Sequence, residues 1–190
     1  MSIDRFKLCF PFTMSAEGGY STDRSDSGNF MHGVLVGSKY GVTWQDIKTL
    51  YGERFTITAD FMRNITPILA QKVYNILYWN VVSANSMWPG LDLVVYDFGV
   101  NAGIGTSAKE LQIALGFTGD GVDDIIGPKT LAAANSVVDR VGFLTKLRDA
   151  EVEHYKTLRL WEQDGDGWTA RSDDRLELAL KMLKDPTLSA

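Results

Sequence analysis

Two carboxyl residues near the N-terminus form the part of the sequence best equipped for chemistry. Glu17 ends an apolar, helix-like segment, and the pair Gly18-Gly19 that follows would stop a helix. Asp26 lies nine residues after Glu17, in a loop rich in Gly, Ser, Asp and Asn. A carboxyl shielded by apolar neighbours keeps its proton near neutral pH and can serve as a general acid. Two carboxyls in different surroundings across one cleft are the minimal equipment for cleaving a glycosidic bond.

A purely structural role is the alternative for both residues, with Glu17 ending a helix and Asp26 occupying a turn. A carboxylate at the C-terminal end of a helix faces the negative end of the helix dipole, so its charged form is disfavoured there. The two glycines give Glu17 no local partner. Its position therefore has no evident structural benefit, which favours a chemical role.

Length and composition narrow the classes of protein to which a chain carrying these two carboxyls can belong. The chain has 190 residues, 45% of them apolar and 23% charged, as expected for one globular domain or one domain with a small lobe. Its single cysteine, Cys9, allows no intrachain disulfide and is expected in the core. The net charge of −5 and the absence of a basic run argue against a nucleic-acid partner. No apolar run reaches the length of a membrane span, and the N-terminus is a poor secretory signal.

Periodicity predicts a mostly helical chain with one small β region. Residues 3–16 form the first helix, which Pro11 should kink or restart, and residues 18–42 favour short strands or a hairpin. Thr43 caps a helix over Trp44–Tyr51, and Thr66 caps a longer one that reaches about Asn80. Further helices are predicted over residues 91–100, 106–115, from Gly127-Pro128 onward, 137–160 and 172–183, with Ser172 as the cap of the last and a loop over 161–168.

Three other patterns have ordinary alternatives. Residues 120–130 form a Gly-rich acidic loop, which is either a plain connection between helices or a wall-binding surface. Residues 162–173 nearly fit an EF-hand, but Glu162 and Asp173 are unusual at its first and last positions, so a solvated loop is favoured over calcium binding. His32 and His154 give no zinc pattern with one cysteine. His32 lies in the loop near Asp26 and could contact a substrate, although a surface position is the ordinary expectation.

Short motifs along nearly the whole chain, in their order and spacing, resemble glycoside hydrolase family 108. This family comprises N-acetylmuramidases of phage endolysins and secretion activators. The N-terminal motifs are Phe10-Pro11-Phe12, Glu17-Gly18-Gly19-Tyr20, Asp26-Ser27-Gly28-Asn29, Gly37–Val42 and Tyr78-Trp79. The motifs similar to the family's C-terminal peptidoglycan-binding part are Tyr96-Asp97-Phe98, Asn101-Ala102-Gly103, 111–116, 120–130 and Gly167-Trp168 with Arg171.

The resemblance implies a mainly α, lysozyme-like fold with a small β-hairpin region near the N-terminus. It implies a catalytic part over residues 1–90 and a helical, peptidoglycan-binding part over residues 91–190. Because residues 83–90 hold only one proline and one glycine, no flexible linker separates the parts. We therefore expect them to pack as one compact domain.

The resemblance also assigns roles to single residues. Glu17 matches the family's catalytic glutamate. Asp26 and Ser38 match the aspartate and threonine that act with such a glutamate in phage lysozymes. Three aromatic residues are expected to stack on sugars, although each could equally lie in the core: Tyr20, Tyr40 and Trp79. No metal or organic cofactor is implied.

The implied activity is hydrolysis of the β-1,4 bond between N-acetylmuramic acid and N-acetylglucosamine in bacterial peptidoglycan. A lytic transglycosylase is one alternative, and a non-catalytic wall-binding or secretion-assisting protein is another. We expect a monomer made in the bacterial cytoplasm and acting in the periplasm or cell wall. Without a signal peptide, crossing the membrane would need a holin, in a phage, or a dedicated exporter.

Overall fold

The computed structural model describes residues 4–15 and 18–188. The chain divides into two compact units, one of Phe6–Asn80 and the other of Met1–Arg5 together with Val81–Ala190. Both units are built mainly from helices, and all strands of the described residues lie in the unit Phe6–Asn80. The mainly α, lysozyme-like fold expected from the sequence is confirmed.

The helices of the unit Phe6–Asn80 begin where the sequence supplies caps. The Thr43 side chain accepts from the Asp46 amide while Asp46 accepts from the Thr43 amide, a reciprocal capping box. Thr66 caps its helix with one hydrogen bond, which its side chain accepts from the Leu69 amide, and Pro67 lies in the first turn. These two predicted helices are confirmed, whereas α3 was not anticipated. The helices are α1 Arg5–Ser15, α2 Trp44–Tyr51, α3 Ala59–Arg63 and α4 Pro67–Tyr74, the last continued by a π-helical turn, Asn75–Trp79.

The first helix runs through Pro11 without interruption. Pro11 therefore does not start a new helix, which was one of the two expectations for this residue. A proline removes one backbone donor from the helix, and packing of the aromatic side chains on α1 helps to hold the helix in place. The Phe6 ring lies 5.5 Å from the Trp79 ring, and the Phe10 ring lies 5.8 Å from the Tyr74 ring. Cys9 is fully buried on the same helix, as expected.

Four very short strands form the β region. They are β1 Tyr20–Ser21, β2 Phe30–Met31, β3 Val34–Leu35 and β4 Ser38–Lys39. Strand β1 pairs antiparallel with β4, and β2 pairs antiparallel with β3. The small β region is confirmed, but it consists of two nested two-stranded ladders.

The second unit is built from the α-helices that follow residue 90 in the described part of the chain. Helix α5 is buried along nearly its whole length, which matches its apolar sequence, and it packs against α6 and α9, while α8 packs against α6 and α9. Pro128 occupies the first turn of α7, as predicted. The helices are α5 Leu91–Ala102, α6 Ile104–Ala114, α7 Pro128–Asn135, α8 Arg140–Lys156 and α9 Trp161–Lys184.

The segment expected to be an acidic loop is instead the first third of α9. Acidic residues in the first turn favour a helix start, and Glu162 and Asp164 lie there. Gly165 lets the Trp161 ring lie directly on the helix, because a Cβ at this position would approach that ring to 2.7 Å. Ser172 lies buried inside α9, so it is not a cap. Residues 162–173 lie within α9, so the expected solvated loop and the EF-hand alternative, which both require a non-helical segment here, are wrong.

A buried ionic cluster joins three helices of the second unit. Asp97 on α5 accepts hydrogen bonds from Arg171 and Arg175 on α9, with Nη–Oδ distances of 2.8 and 2.6 Å. Arg175 also pairs with Glu151 on α8. Asp97, Glu151 and Arg175 are essentially inaccessible to solvent. Burial opposes the charge of Arg175, but the attraction of Glu151 and Asp97 outweighs it and raises the pKa of this guanidinium.

A second buried carboxyl lies at the start of α5. Asp92 Oδ1 accepts from the Gly90 and Leu93 amides, both at 2.8 Å. Its Oδ2 lies 3.0 Å from Arg5 Nη1 as an ion pair, and the same nitrogen donates to the Met87 carbonyl at 2.8 Å. Desolvation outweighs these contacts and raises the pKa of Asp92 to about 6.

Residues 4–15 and 18–188 contain no helix that is both long and apolar enough to span a bilayer.

Candidate active site

The chain that follows Glu17 is anchored by a backbone hydrogen bond. Glu17 itself lies outside the described residues. Before it, α1 ends at Ser15, whose hydroxyl donates to the Phe12 carbonyl at 2.7 Å. After it, the Gly18 carbonyl accepts a hydrogen bond from the Tyr40 amide at 3.2 Å. The chain that leaves Glu17 is thereby fixed to the end of β4.

Asp26 is exposed to solvent and lies at the start of a single 3₁₀ turn, Ser27–Asn29. Its Oδ1 accepts from the Gly28 amide at 2.8 Å, and its carbonyl accepts from the Asn29 amide at 3.2 Å. The side chain is therefore held by one oxygen. This arrangement orients a solvent-facing carboxylate without burying it.

Asn29 connects the loop of Asp26 to the segment that precedes Ser38. The residue is fully buried, and its carbonyl accepts from the Val36 amide at 2.9 Å and the Gly37 amide at 3.0 Å. Its Nδ2 donates to the Asp23 carbonyl at 2.9 Å, which closes the other end of the loop. Asn29 was not among the residues singled out for function. Its only sequence signal is its place beside Asp26 in a Gly- and Asn-rich turn.

Ser38 follows directly on the segment that Asn29 holds. It opens β4, pairs with Ser21 of β1, and retains 9% of its exposure. The structure thus ties Asp26 and Ser38 to the same small framework through Asn29. A carboxylate and a hydroxyl on one rigid loop system are suited to orienting a water molecule or a sugar hydroxyl.

Tyr20 is half-buried and its polar tip is already occupied. Its hydroxyl donates to the Val36 carbonyl at 3.0 Å. Gly37 allows the ring to lie against the backbone, because a Cβ there would come within 2.6 Å of the ring carbon Cε2 and the φ of +78° disfavours other residues. The Arg63 guanidinium lies 5.2 Å from the ring centre. Tyr20 therefore helps to build the framework, and its stacking role stays a prediction.

Tyr40 lies in a tight turn that returns the chain after β4. Tyr40 and Gly41 both have left-handed backbone, with φ of 53° and 69°, as in a type I′ turn. The Tyr40 carbonyl accepts from the Tyr74 hydroxyl at 2.9 Å, and Lys39 Nζ lies 5.1 Å from the Tyr40 ring centre. The ring is half-buried, so part of it faces solvent. Its sugar-stacking role also stays a prediction.

Trp79 does not have the exposure that stacking on a sugar requires. Its relative exposure is 0%, and its ring packs against Phe6. The expected stacking role is corrected to one in the core. The hydroxyl of the neighbouring Tyr78 donates to Asp46 Oδ1 at 3.2 Å.

His32 lies in the turn between β2 and β3, with φ of 49°. Its ring centre lies 5.3 Å from that of Trp44, whose buried indole nitrogen has no hydrogen-bond partner among the described residues. This contact shows His32 packing on the first residue of α2. Across the described part of the chain, no cluster of three or more His, Cys, Asp or Glu side chains is arranged to hold a metal ion.

Comparisons with known proteins identify relatives of both the sequence and the fold. The family model described as glycosyl hydrolase 108 matches residues 10–103, which include all six residues singled out above for catalysis and stacking. The structure is similar to that of Brucella abortus SagA, with a TM-score of 0.81 and 28% sequence identity over 97% of this chain and 98% of that chain. A comparison with curated protein sequences gave no match.

Proposed function

Because the chain belongs to the glycosyl hydrolase 108 family over residues 10–103, we propose that it is a peptidoglycan hydrolase. The bond cleaved is the β-1,4 linkage between N-acetylmuramic acid and N-acetylglucosamine. The observation that best supports this proposal is the framework around Asn29. It ties the exposed Asp26 carboxylate to the segment before Ser38, while the chain leaving Glu17 is anchored to Tyr40. The protein would act on the wall as a monomer, after a holin or an exporter has let it cross the membrane.

In the proposed reaction, the Glu17 carboxylic acid donates its proton to the leaving glycosidic oxygen. The bond to the anomeric carbon then breaks through an oxocarbenium-like transition state. Asp26, helped by the Ser38 hydroxyl, orients and activates the attacking water or stabilises the positive charge on the sugar. The hydrogen bond from the Gly28 amide to Asp26 Oδ1 supports this role, because it fixes the carboxylate while leaving it in contact with solvent.

The central test is the clearance of purified peptidoglycan, followed by turbidity, with Glu17→Gln. Glu53→Gln is the matched control, since Glu53 is an exposed glutamate in the same compact unit. Loss of a general acid lowers the rate by roughly 10²–10⁴-fold. We expect Glu17→Gln to lose activity by about that factor with an unchanged melting temperature, and the control to retain it.

Product analysis separates the alternatives. Mass spectrometry of the released sugars should detect reducing muramic acid ends from hydrolysis. Anhydromuramic ends would instead identify a lytic transglycosylase, which needs Glu17 but no activated water. If wild type and Glu17→Gln both fail to clear the wall although both are folded, a non-catalytic wall-binding or secretion-assisting role replaces the hydrolase.

A further inference from the structure

A cleft of about 430 Å³ lies in the second compact unit, within residues 112–130. Its walls come from the end of α6, the loop that follows, and the first turn of α7. This volume falls within the range of sites for small ligands and short peptides, roughly 300–1,000 Å³. None of its lining residues belongs to the site around Asp26.

One buried amide holds the loop of the cleft in shape. Gln112 Nε2 lies at hydrogen-bond distance from Asp123 Oδ1 (2.7 Å), the Ile125 carbonyl (3.0 Å) and Thr130 Oγ1 (3.2 Å). Its Oε1 accepts from the Asp123 and Asp124 amides, both at 3.1 Å. Gln112 has 1% of its surface exposed. The loop is thus fixed before a ligand arrives, which reduces the entropy lost on binding.

The lining combines an apolar wall with charges of both signs. Phe117 and Ile125 supply the apolar surface, and Ile125 is 66% exposed. The hydrogen bond from Gln112 lowers the pKa of Asp123, so this carboxylate stays charged. The side chains of Asp120 and Lys129 also line the cleft, and among the described residues no side-chain hydrogen bond or ion pair joins either of them to another group. The Lys129 ammonium is close enough to Asp123 to help lower the pKa of that carboxyl. One carboxylate and one ammonium are therefore available to a ligand.

We propose that this cleft binds a short peptide that carries both a free ammonium and a free carboxylate. The ammonium would pair with Asp120 and the carboxylate with Lys129, while the peptide's aliphatic part covers Phe117 and Ile125. A bare glycan chain carries neither the ammonium nor the aliphatic part. Peptidoglycan stem peptides have this chemistry, so, resting on the proposed function, the source of the peptide is the stem of the wall.

The test uses the full-length, isotope-labelled protein and a synthetic peptidoglycan tetrapeptide stem whose diamino acid has a free side-chain amine. Amide chemical shifts report where the peptide binds, and their titration gives Kd. The comparison ligand is the same peptide with its amine acetylated and its C-terminus amidated. We expect shifts confined to residues 112–130 with the free peptide and at least fivefold weaker binding of the blocked one.

Two variants and two matched controls assign the charges. Asp120→Asn and Lys129→Ala should each raise Kd by roughly 3- to 5-fold, at the upper end for ion pairs that are partly open to solvent. The controls are Asp166→Asn and Lys109→Ala, exposed residues of the same unit that do not line the cleft. They should leave Kd within twofold. Equal binding of the blocked peptide, or no effect of either cleft variant, would overturn the proposal.

Two wall preparations distinguish the source of the peptide. Intact sacculi should retain more protein in a pull-down than sacculi whose stems have been removed by an amidase, and Lys129→Ala should reduce that difference. Equal retention, together with tight binding of the free tetrapeptide, would assign the cleft to soluble peptides and overturn the wall as the source.

The outcome is independent of hydrolysis, because the tetrapeptide contains no glycosidic bond. Peptide binding without clearance of peptidoglycan would contradict the proposed hydrolase activity and support peptide binding by the cleft. Clearance that depends on Glu17, without peptide binding at residues 112–130, contradicts the cleft alone.

Discussion

Asp26 joins a structural contact and a proposed chemical role in one side chain. Its Oδ1 caps the turn Ser27–Asn29 by accepting from the Gly28 amide. Asparagine offers the same acceptor and caps about as well as aspartate, whereas alanine removes it. The two substitutions therefore separate charge from geometry at a single position.

We predict that Asp26→Asn leaves the free energy of unfolding nearly unchanged and lowers peptidoglycan hydrolysis by roughly 10²-fold or more. Asp26→Ala should lose similar activity and also about 1 kcal/mol of stability, because the turn loses its cap. Denaturant unfolding and the turbidity assay measure the two effects. Asp60→Asn, another exposed aspartate of this unit, is the control. An Asp26→Asn protein as active as wild type would remove Asp26 from the mechanism.

Ser38→Ala should lower the rate less than Asp26→Asn does, since it removes one hydroxyl and no charge. The comparison is made at equal folded fraction, because Ser38 lies in β4 beside the segment held by Asn29. The reverse ranking would contradict the roles given to these two residues.

Residue type and spacing predict the burial and contacts of some single residues better than those of others. The isolated carboxyl of Asp26 in a polar loop is exposed, as its setting indicates. Trp79 lies in the core because the π-helical turn at its position faces α1, a packing that periodicity cannot supply. Asn29 was missed for a related reason. Its carbonyl accepts from the Val36 and Gly37 amides and its Nδ2 donates to the Asp23 carbonyl, and residue type and spacing reveal none of these partners.

At the scale of elements, helices with local start signals were predictable and those set by tertiary packing were not. Thr43 with Asp46 and Thr66 with Pro67 mark their helices within a few residues. The first third of α9 has an acidic, glycine-containing sequence typical of loops. It is helical because Trp161 packs on Gly165 and because Arg171 and Arg175 farther along meet Asp97 on α5. That partner lies 74 to 78 residues away in the sequence.

We predict that Arg175→Met destabilises the protein by about 3–5 kcal/mol, because it leaves Glu151 buried without its cationic partner and Asp97 with one instead of two. Chemical denaturation measures the loss. Lys181→Met is the control on the same helix, since it removes an exposed pair with Glu177 and should have no measurable effect. A Lys variant at Arg175 should recover only part of the stability, because one ammonium cannot contact both carboxylates as the guanidinium does.

The carboxyl at the start of α5 predicts a dependence of stability on pH. The folded-state pKa of Asp92 is about 6, above the ordinary value of 3.8, because of desolvation. The folded protein therefore holds this proton more tightly, so its contribution is present below about pH 4 and is lost as pH rises through 6. The difference amounts to at most about 3 kcal/mol.

Asp92→Asn removes this titration while keeping an oxygen for the Gly90 and Leu93 amides. We expect the variant to gain stability relative to wild type as pH rises from 4 to 7, measured by denaturant unfolding at both pH values. Asp166→Asn, an exposed aspartate, should show no such trend. A parallel pH profile of Asp92→Asn and wild type would contradict the raised pKa.

At the scale of the whole molecule, the chain has two compact units, and the boundary between them falls at Asn80 and Val81. The sequence instead suggested parts meeting near residue 90, and a single packed body without a flexible linker. The single body stays a prediction. Limited proteolysis tests it: slow cleavage is expected within residues 81–92, and rapid release of two folded fragments would contradict it.

The distribution of tryptophans allows fluorescence to test whether the two units unfold together. Trp79 in the first unit and Trp88 in the second are 0% and 4% exposed, whereas Trp44, Trp161 and Trp168 are half-buried. A buried indole emits at shorter wavelength and resists acrylamide quenching until its surroundings open. Variants that keep only Trp79 or only Trp88 would each report the melting of one unit. Coincident emission shifts would mean that the two units share one cooperative transition, and separate shifts would rank their stabilities.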